Sequence, residues 1–185
     1  MPISFIFAGK IMLDSLDIKN YRNLKELRIN SLGRVNLLTG KNNTGKSTIL
    51  EAIAIYATKG DLGLIFDLIS ERGENFRKTE TNNNATEANI RTVSSLFTNR
   101  IIGFNKTDAN SIGKEKSPEK SVAFRFVKYF DEVTKVEREG NVSIKTKRTI
   151  AENIPDKQLE DYKIGLEIRA GNSSYTVPLD HDLPY

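Results

Sequence analysis

The stretch "LLTGKNNTGKSTILEAI", Leu37 to Ile53, limits what this chain can fold into more than any other. Gly40 and Gly45 bracket a polar loop, and Lys46, Ser47 and Thr48 follow at once. Ile49, Leu50, Ile53 and Ala57 then recur at helical spacing, with Gly60 at the expected stop. Ahead of the loop, Arg34–Leu38 ("RVNLL") reads as a short strand. The order strand, glycine loop, helix is what binding a phosphate chain requires. Glycines let the backbone of Gly40, Lys41, Asn42, Asn43, Thr44 and Gly45 turn its N–H groups inward around β- and γ-phosphates. The loop opens onto a helix N-terminus, whose partial positive charge favours an anion. Lys46 supplies a mobile ammonium to the β/γ oxygens and is the candidate catalytic residue. The Ser47 hydroxyl is the candidate Mg²⁺ ligand, and Thr48 is placed for an α- or β-phosphate contact.

Charge supports an anion site at this end. Residues 1–60 carry nine Lys/Arg and four Asp/Glu, whereas residues 61–185 are close to neutral within a net +4. A 185-residue chain that is 38% hydrophobic can build one real core. It has no cysteine, so disulfides, thiolate chemistry and cysteine-ligated zinc are excluded. No apolar run reaches the ~20 residues that span a bilayer. "MPISFIFAG" lacks a basic leader and is closed off by Lys10 and Asp14, so a strand extension, or sequence ahead of a start at Met12, is expected there rather than a signal peptide. These readings make the expected setting cytoplasmic, with no membrane partner.

Leu16 and Ile18, then Leu27 and Ile29, alternate with polar residues on either side of "NYRN", which predicts two strands and a turn. Asp61–Glu71 predicts a helix, Arg72–Glu87 a mobile polar loop, and Ile90, Val93, Leu96 and Phe97 one face of a short helix. Past residue 120 the period changes to two. Val122, Phe124 and Phe126, Val142 and Ile144, then Ile164, Leu166 and Ile168, then Tyr175 and Val177 predict two hairpins, turning at Gly140–Asn141 and at Ala170–Ser174. The expected organisation is a nucleotide-binding core segment over 1–104, a polar linker or loop over 105–120, and a β-rich antiparallel region of the same domain over 121–185.

The residues around the loop resemble a known family. Asn20-Tyr21-Arg22, the G-x-N-x-x-G-K-[ST]-[ST] run Gly40–Thr48, and Ile49-Leu50-Glu51-Ala52-Ile53 are similar to the N-terminal segment of AAA-family, ABC-type ATPases related to the OLD, RecF and SMC proteins. The resemblance is close over about residues 12–57. It implies an α/β P-loop NTPase core, its N-terminal lobe, with an attached antiparallel sheet. It also implies that ATP and Mg²⁺ are the cofactors, that Arg22 lies near the nucleotide, and that the full-length protein works as a homodimer. Family members act on DNA in repair or in anti-phage defence beside a nuclease. Two parts of the family's pattern do not read out of this sequence: a signature serine loop, and an apolar strand ending in Asp-Glu. "VKYFDE" (Val127–Glu132) comes nearest to the second, but Lys128 interrupts it, and Asp131 and Glu132 read as a solvated strand end. The sequence is therefore expected to be the N-terminal part of a longer ATPase. The rival reading is a nucleotide-binding module without turnover.

Three further features carry weaker signals. "NKTD" (Asn105–Asp108) has the form of a guanine-specificity loop, but the D-x-x-G that a GTPase needs is absent between it and the glycine loop. His181 between Asp180 and Asp182 is a poor metal site at a chain end. Lys145, Lys147 and Arg148 could meet DNA phosphates, although Glu137 and Glu139 across the turn favour a cross-strand ion-pair face.

Overall fold

The computed structural model describes residues 13–74, 82–106, 110–114, 117–138, 141–152 and 162–180, without the side chains of 82–85, 118, 135–138 and 141–144. His181, Thr107 and Asp108, and the apolar N-terminal stretch, lie outside the described residues. Seven strands, β1 (Leu16–Tyr21), β2 (Leu24–Ile29), β3 (Ser111–Gly113), β4 (Ser121–Arg138), β5 (Asn141–Ile150), β6 (Lys163–Ala170) and β7 (Ser173–Pro178), form one antiparallel sheet. The order is β2-β1-β3-β4-β6-β7, with β5 paired to the far half of β4. Helices α1 (Lys46–Ala57), α2 (Leu62–Ser70) and α3 (Asn82–Ser94) share a core with one face of this sheet.

Alternation places that core. Leu16 and Ile18 of β1, Ile112 of β3, Val122, Phe124 and Phe126 of β4, and Leu166 and Ile168 of β6 are buried against Ala52 and Ile55 of α1, Ile65 and Ile69 of α2, and Val93 of α3. Asp61 caps α2, its carboxylate accepting from the Leu64 N–H at 3.0 Å. The opposite face of β4 and β6 carries Arg125 and Glu167, both buried and ion-paired, beside Val127 and Tyr129. β2 forms one edge of the sheet. Its Lys25, Glu26 and Arg28 keep that edge charged, with Arg28 bonded to Asp17 of β1 at 2.8 Å.

Two hairpins turn where their sequences predict, Ala170 pairing Ser173 and Tyr21 pairing Leu24 across Arg22–Asn23, while Asn141, expected in the third turn, begins β5 and pairs Arg138. Four expectations change. First, Arg34–Leu38 is not a strand. Val35 is 91% and Leu37 86% exposed, and no described strand pairs with the segment, so β propensity alone does not order it. Second, α3 begins at Asn82, inside the stretch read as loop, and Glu87 pairs with Arg91 one turn on at 2.6 Å. Third, Asp131 is not a solvated strand end. It sits mid-strand in β4 and takes both Nε and Nη2 of Arg148, at 2.8 and 3.2 Å. Fourth, the β4–β5 register sets Glu132 across from Lys147 and Thr134 across from Lys145, while Glu137 is opposite Val142, so the register does not set Glu137 against those lysines; Glu139 lies outside the described residues. Within 105–120, β3 joins β1 to β4, a strand too short for its sequence to carry a period.

Candidate functional site

Gly40 at φ 153°, Asn43 at φ 62° and Gly45 at φ 97° bend the loop before α1. Gly45 is also tightly enclosed. A Cβ there would stand 3.2 Å from Asn23 Nδ2 and from Leu24 Cδ2, so a side chain at this position would press on the β1–β2 turn, on top of the strain of φ 97°. α1 starts at Lys46 with Gly45 as its N-cap, no side-chain capping bond and no acidic residue in its first turn. The first-turn N–H groups therefore keep their attraction for an anion.

A cleft of about 500 Å³ opens over this helix end, lined by Arg22, Asn23, Asn42, Asn43, Gly45, Lys46, Ser47, Thr48 and Arg72. The Lys46 ammonium donates to the carbonyls of Gly40 and Lys41, at 2.8 and 2.5 Å. Thr44 Oγ1 donates to the Lys41 carbonyl at 2.9 Å, which tightens the same turn. The Ser47 residue is exposed at the cleft, which suits a hydroxyl that would complete the shell of a Mg²⁺ ion held mainly by phosphate and water. No group of three or more metal-ligating side chains occurs among the described residues.

Two of the predicted residues line the cleft and are also bonded within the protein. Thr48 is buried at the cleft lining, and its hydroxyl donates to Asn23 Oδ1 at 3.0 Å, which ties α1 to the β1–β2 turn. Arg22 borders the cleft, but its guanidinium points into the protein, donating to the carbonyls of Leu68 at 2.8 Å and Ser95 at 3.3 Å. Those carbonyls belong to the C-terminal ends of α2 and α3, where a cation is favoured. The Arg22 backbone takes φ 52°, which its N–H bond to Leu96 O at 2.8 Å holds in place.

Glu51, on α1, joins these parts. Its carboxylate accepts from Tyr21 Oη at 3.1 Å, lies 3.4 Å from Arg22 Nε and is ion-paired with Arg72 Nη2. Burial, and then the Glu51 charge, push the Tyr21 phenol well above its usual range, so it stays a donor at any physiological pH. Sequence reasoning missed Asn23 and Arg72. Asn23 had only its place in a turn to mark it, and Arg72 lay in a polar stretch read as loop. Asn105 and Lys106 are remote from these residues in role: Lys106 pairs with Glu152, and neither lines the loop cleft.

Comparisons with known proteins place the sequence among others. A model of the AAA ATPase domain family matches residues 12–170. An uncharacterized protein of Methanocaldococcus jannaschii is 37% identical over 67 residues, 36% of this chain and 31% of that protein. An ATP/GTP phosphatase of Helicobacter pylori is 45% identical over 42 residues, 23% of this chain and 11% of its own length. The DNA replication and repair protein RecF of Clostridioides difficile is 51% identical over 41 residues, 22% and 11% respectively. The matched stretch thus spans less than a third of each of these relatives. No solved structure matches the chain. No helix among the described residues is long and apolar enough to cross a membrane. A family match over most of the length, together with the RecF similarity, means that the chain belongs to the AAA ATPase domain family, in the ABC-type group that includes RecF and SMC.

Proposed function

We propose that this chain is the ATP-binding part of an ATPase, with Lys46, the loop N–H groups and the uncapped start of α1 holding the β- and γ-phosphates. The observation that carries this reading is the cleft itself: Lys46 and Ser47 stand together over a helix N-terminus without a capping side chain. Mg²⁺, when bound, would neutralise phosphate charge, and Ser47 is the residue here that would hold it. In this reading Gly40, Lys41, Asn42, Asn43, Thr44 and Gly45 contribute backbone donors. Thr48 and Arg22 instead fix the positions of α1, α2 and α3 around the cleft.

The domain division into a loop-bearing segment (1–104), a connecting stretch (105–120) and a β-rich region (121–185) remains part of the proposal, with β3 carrying the sheet across the connecting stretch. Work on DNA in repair is the role that the RecF relatives' name favours; a defence role beside a nuclease and an OLD-like kinship rest on the sequence resemblance alone. Homodimerisation and turnover belong to the longer ATPase proposed here, because the signature loop and Asp-Glu strand do not read out of this sequence. A cytoplasmic setting goes with that role.

Calorimetric titration with ATP·Mg²⁺ and GTP·Mg²⁺ tests the reading. Saturable ATP binding, at least as tight as GTP binding, is expected. No binding of either nucleotide would overturn it, and a clear preference for GTP would restore the guanine-specificity reading of Asn105–Asp108.

A further inference from the structure

Arg72 follows α2, lines the loop cleft with Lys46 and Ser47, and is, with Asn23, one of two side chains there that no sequence motif marks. Its head is ion-paired with Glu51, and 44% of its side chain is exposed, whereas Arg22 on the same carboxylate is only 7% exposed. Arg22 is also fixed by two main-chain carbonyls. One of the two guanidiniums can therefore leave and the other cannot.

The charges favour such a departure. Two guanidinium groups face one carboxylate at Glu51, which leaves one unit of positive charge uncompensated beside the phosphate loop. If Arg72 moves away, Glu51 keeps Arg22 at 3.4 Å and the Tyr21 hydroxyl at 3.1 Å, so no buried carboxylate is stranded. A triphosphate arriving in the cleft brings several negative charges and planar pairs of oxygens that a guanidinium can meet with two N–H groups at once.

We propose that Arg72 is a nucleotide-binding residue held in reserve by Glu51: its guanidinium exchanges the Glu51 carboxylate for phosphate oxygens of the bound triphosphate. This rests on the ATP-binding reading above. Because Arg72 is joined directly to the end of α2, the exchange also reports an occupied cleft to that helix.

The test is ATP·Mg²⁺ titration by calorimetry on the full chain and on Arg72→Ala, Arg72→Lys, Glu51→Gln and the Glu51→Gln/Arg72→Ala pair, each with its melting temperature in the absence of nucleotide. Arg72→Ala is expected to weaken binding about tenfold, the scale of one charge-assisted contact at a partly exposed site. Arg72→Lys should recover part of that loss, since an ammonium cannot bind bidentately. Glu51→Gln should tighten binding by releasing Arg72, and the gain should vanish in the double variant. A purely structural pair would instead lose affinity with either change. If the parent chain binds ATP and Arg72→Ala binds it equally well, the inference falls and the ATP reading stands. If the parent chain binds no nucleotide, both fall. Should Glu51→Gln fail to fold, the two Arg72 variants still decide the matter.

Discussion

Lys46 Nζ lies 2.8 Å from the carbonyl oxygen of Gly40, so the lysine of the glycine loop closes that loop on itself. An ammonium held by neutral carbonyls in an open cleft is readily drawn to a phosphate, because the carbonyls offer dipoles and the ligand offers full charge. Lys46→Ala should therefore lower ATP affinity by more than about tenfold. The melting temperature without nucleotide should hardly move, since the side chain contributes little to the core. Calorimetry and thermal unfolding of the same preparation check both halves, and an unchanged dissociation constant would remove Lys46 from the site.

Thr48 and Asn23 form the complementary case. Thr48→Val keeps the side-chain shape but leaves Asn23 Oδ1 without its donor in a part-buried position. Asn23 is exposed and water can replace the lost donor, so the expected cost is about 0.5–1.5 kcal/mol of stability, the net worth of one hydrogen bond. Urea unfolding would measure it. A loss of ATP affinity with unchanged stability would show that the hydroxyl serves the phosphate after all.

Gly165 on β6 allows the Tyr129 ring to lie close over the sheet. A Cβ there would stand 2.6 Å from Thr176 Cγ2, 2.9 Å from Val177 O and 3.1 Å from Tyr129 Cε1. Arg148 stacks on that ring, 4.4 Å from its centroid, and Tyr129 Oη donates to Asp180 at 3.1 Å. Gly165→Ala should displace the stack and cost about 1–3 kcal/mol by overpacking. Nucleotide affinity should be retained, because the strain falls on the sheet face opposite the helices. Denaturant unfolding and calorimetry together would check this.

Stability should carry an acid limb from Glu152. Hydrogen bonds from Lys106 and then Arg125 hold its carboxyl below the usual range. A depressed folded-state pKa means that the unfolded chain takes up the proton first as pH falls. The contribution is therefore complete above the ordinary glutamate range and lost as pH drops through the lower folded value. Glu152→Gln should narrow the gap in melting temperature between pH 7 and pH 3. The effect should be modest, since the side chain is 38% exposed and its pairs are screened. An identical pH profile in the variant would rule out this source.

ATP·Mg²⁺ should not drive this chain into a dimer. In the proposed arrangement the nucleotide is gripped from one side by Lys46 and the loop, and no segment of the sequence reads as the signature loop that would grip it from a partner. Water competes for the exposed phosphate charge, so dimerising would gain little. Light scattering with and without nucleotide checks this, and a nucleotide-dependent doubling of mass would overturn it.

Shapes that depend on neighbours along the chain are legible in the residues themselves. The Gly40–Ser47 loop, the start of α1 and the turns at Arg22–Asn23 and Gly171–Asn172 follow from residues whose backbone freedom or local bonding decides their shape. The paired alternation of β4 and β6 was legible because one face of each must be apolar to join the core. Other features depend on partners distant in the chain. Arg34–Leu38 has strand-like residues yet pairs with no described strand, because a strand exists through a partner and its own propensity cannot supply one. Ser111–Gly113 has no visible period yet forms β3, because β1 and β4 hold it from both sides. The direction of the Arg22 guanidinium and the entry of Arg72 into the cleft depend on where α2 and α3 end, dozens of residues from the loop. Long side chains go where charge and open carbonyls await them, and those positions are settled only when the helices pack.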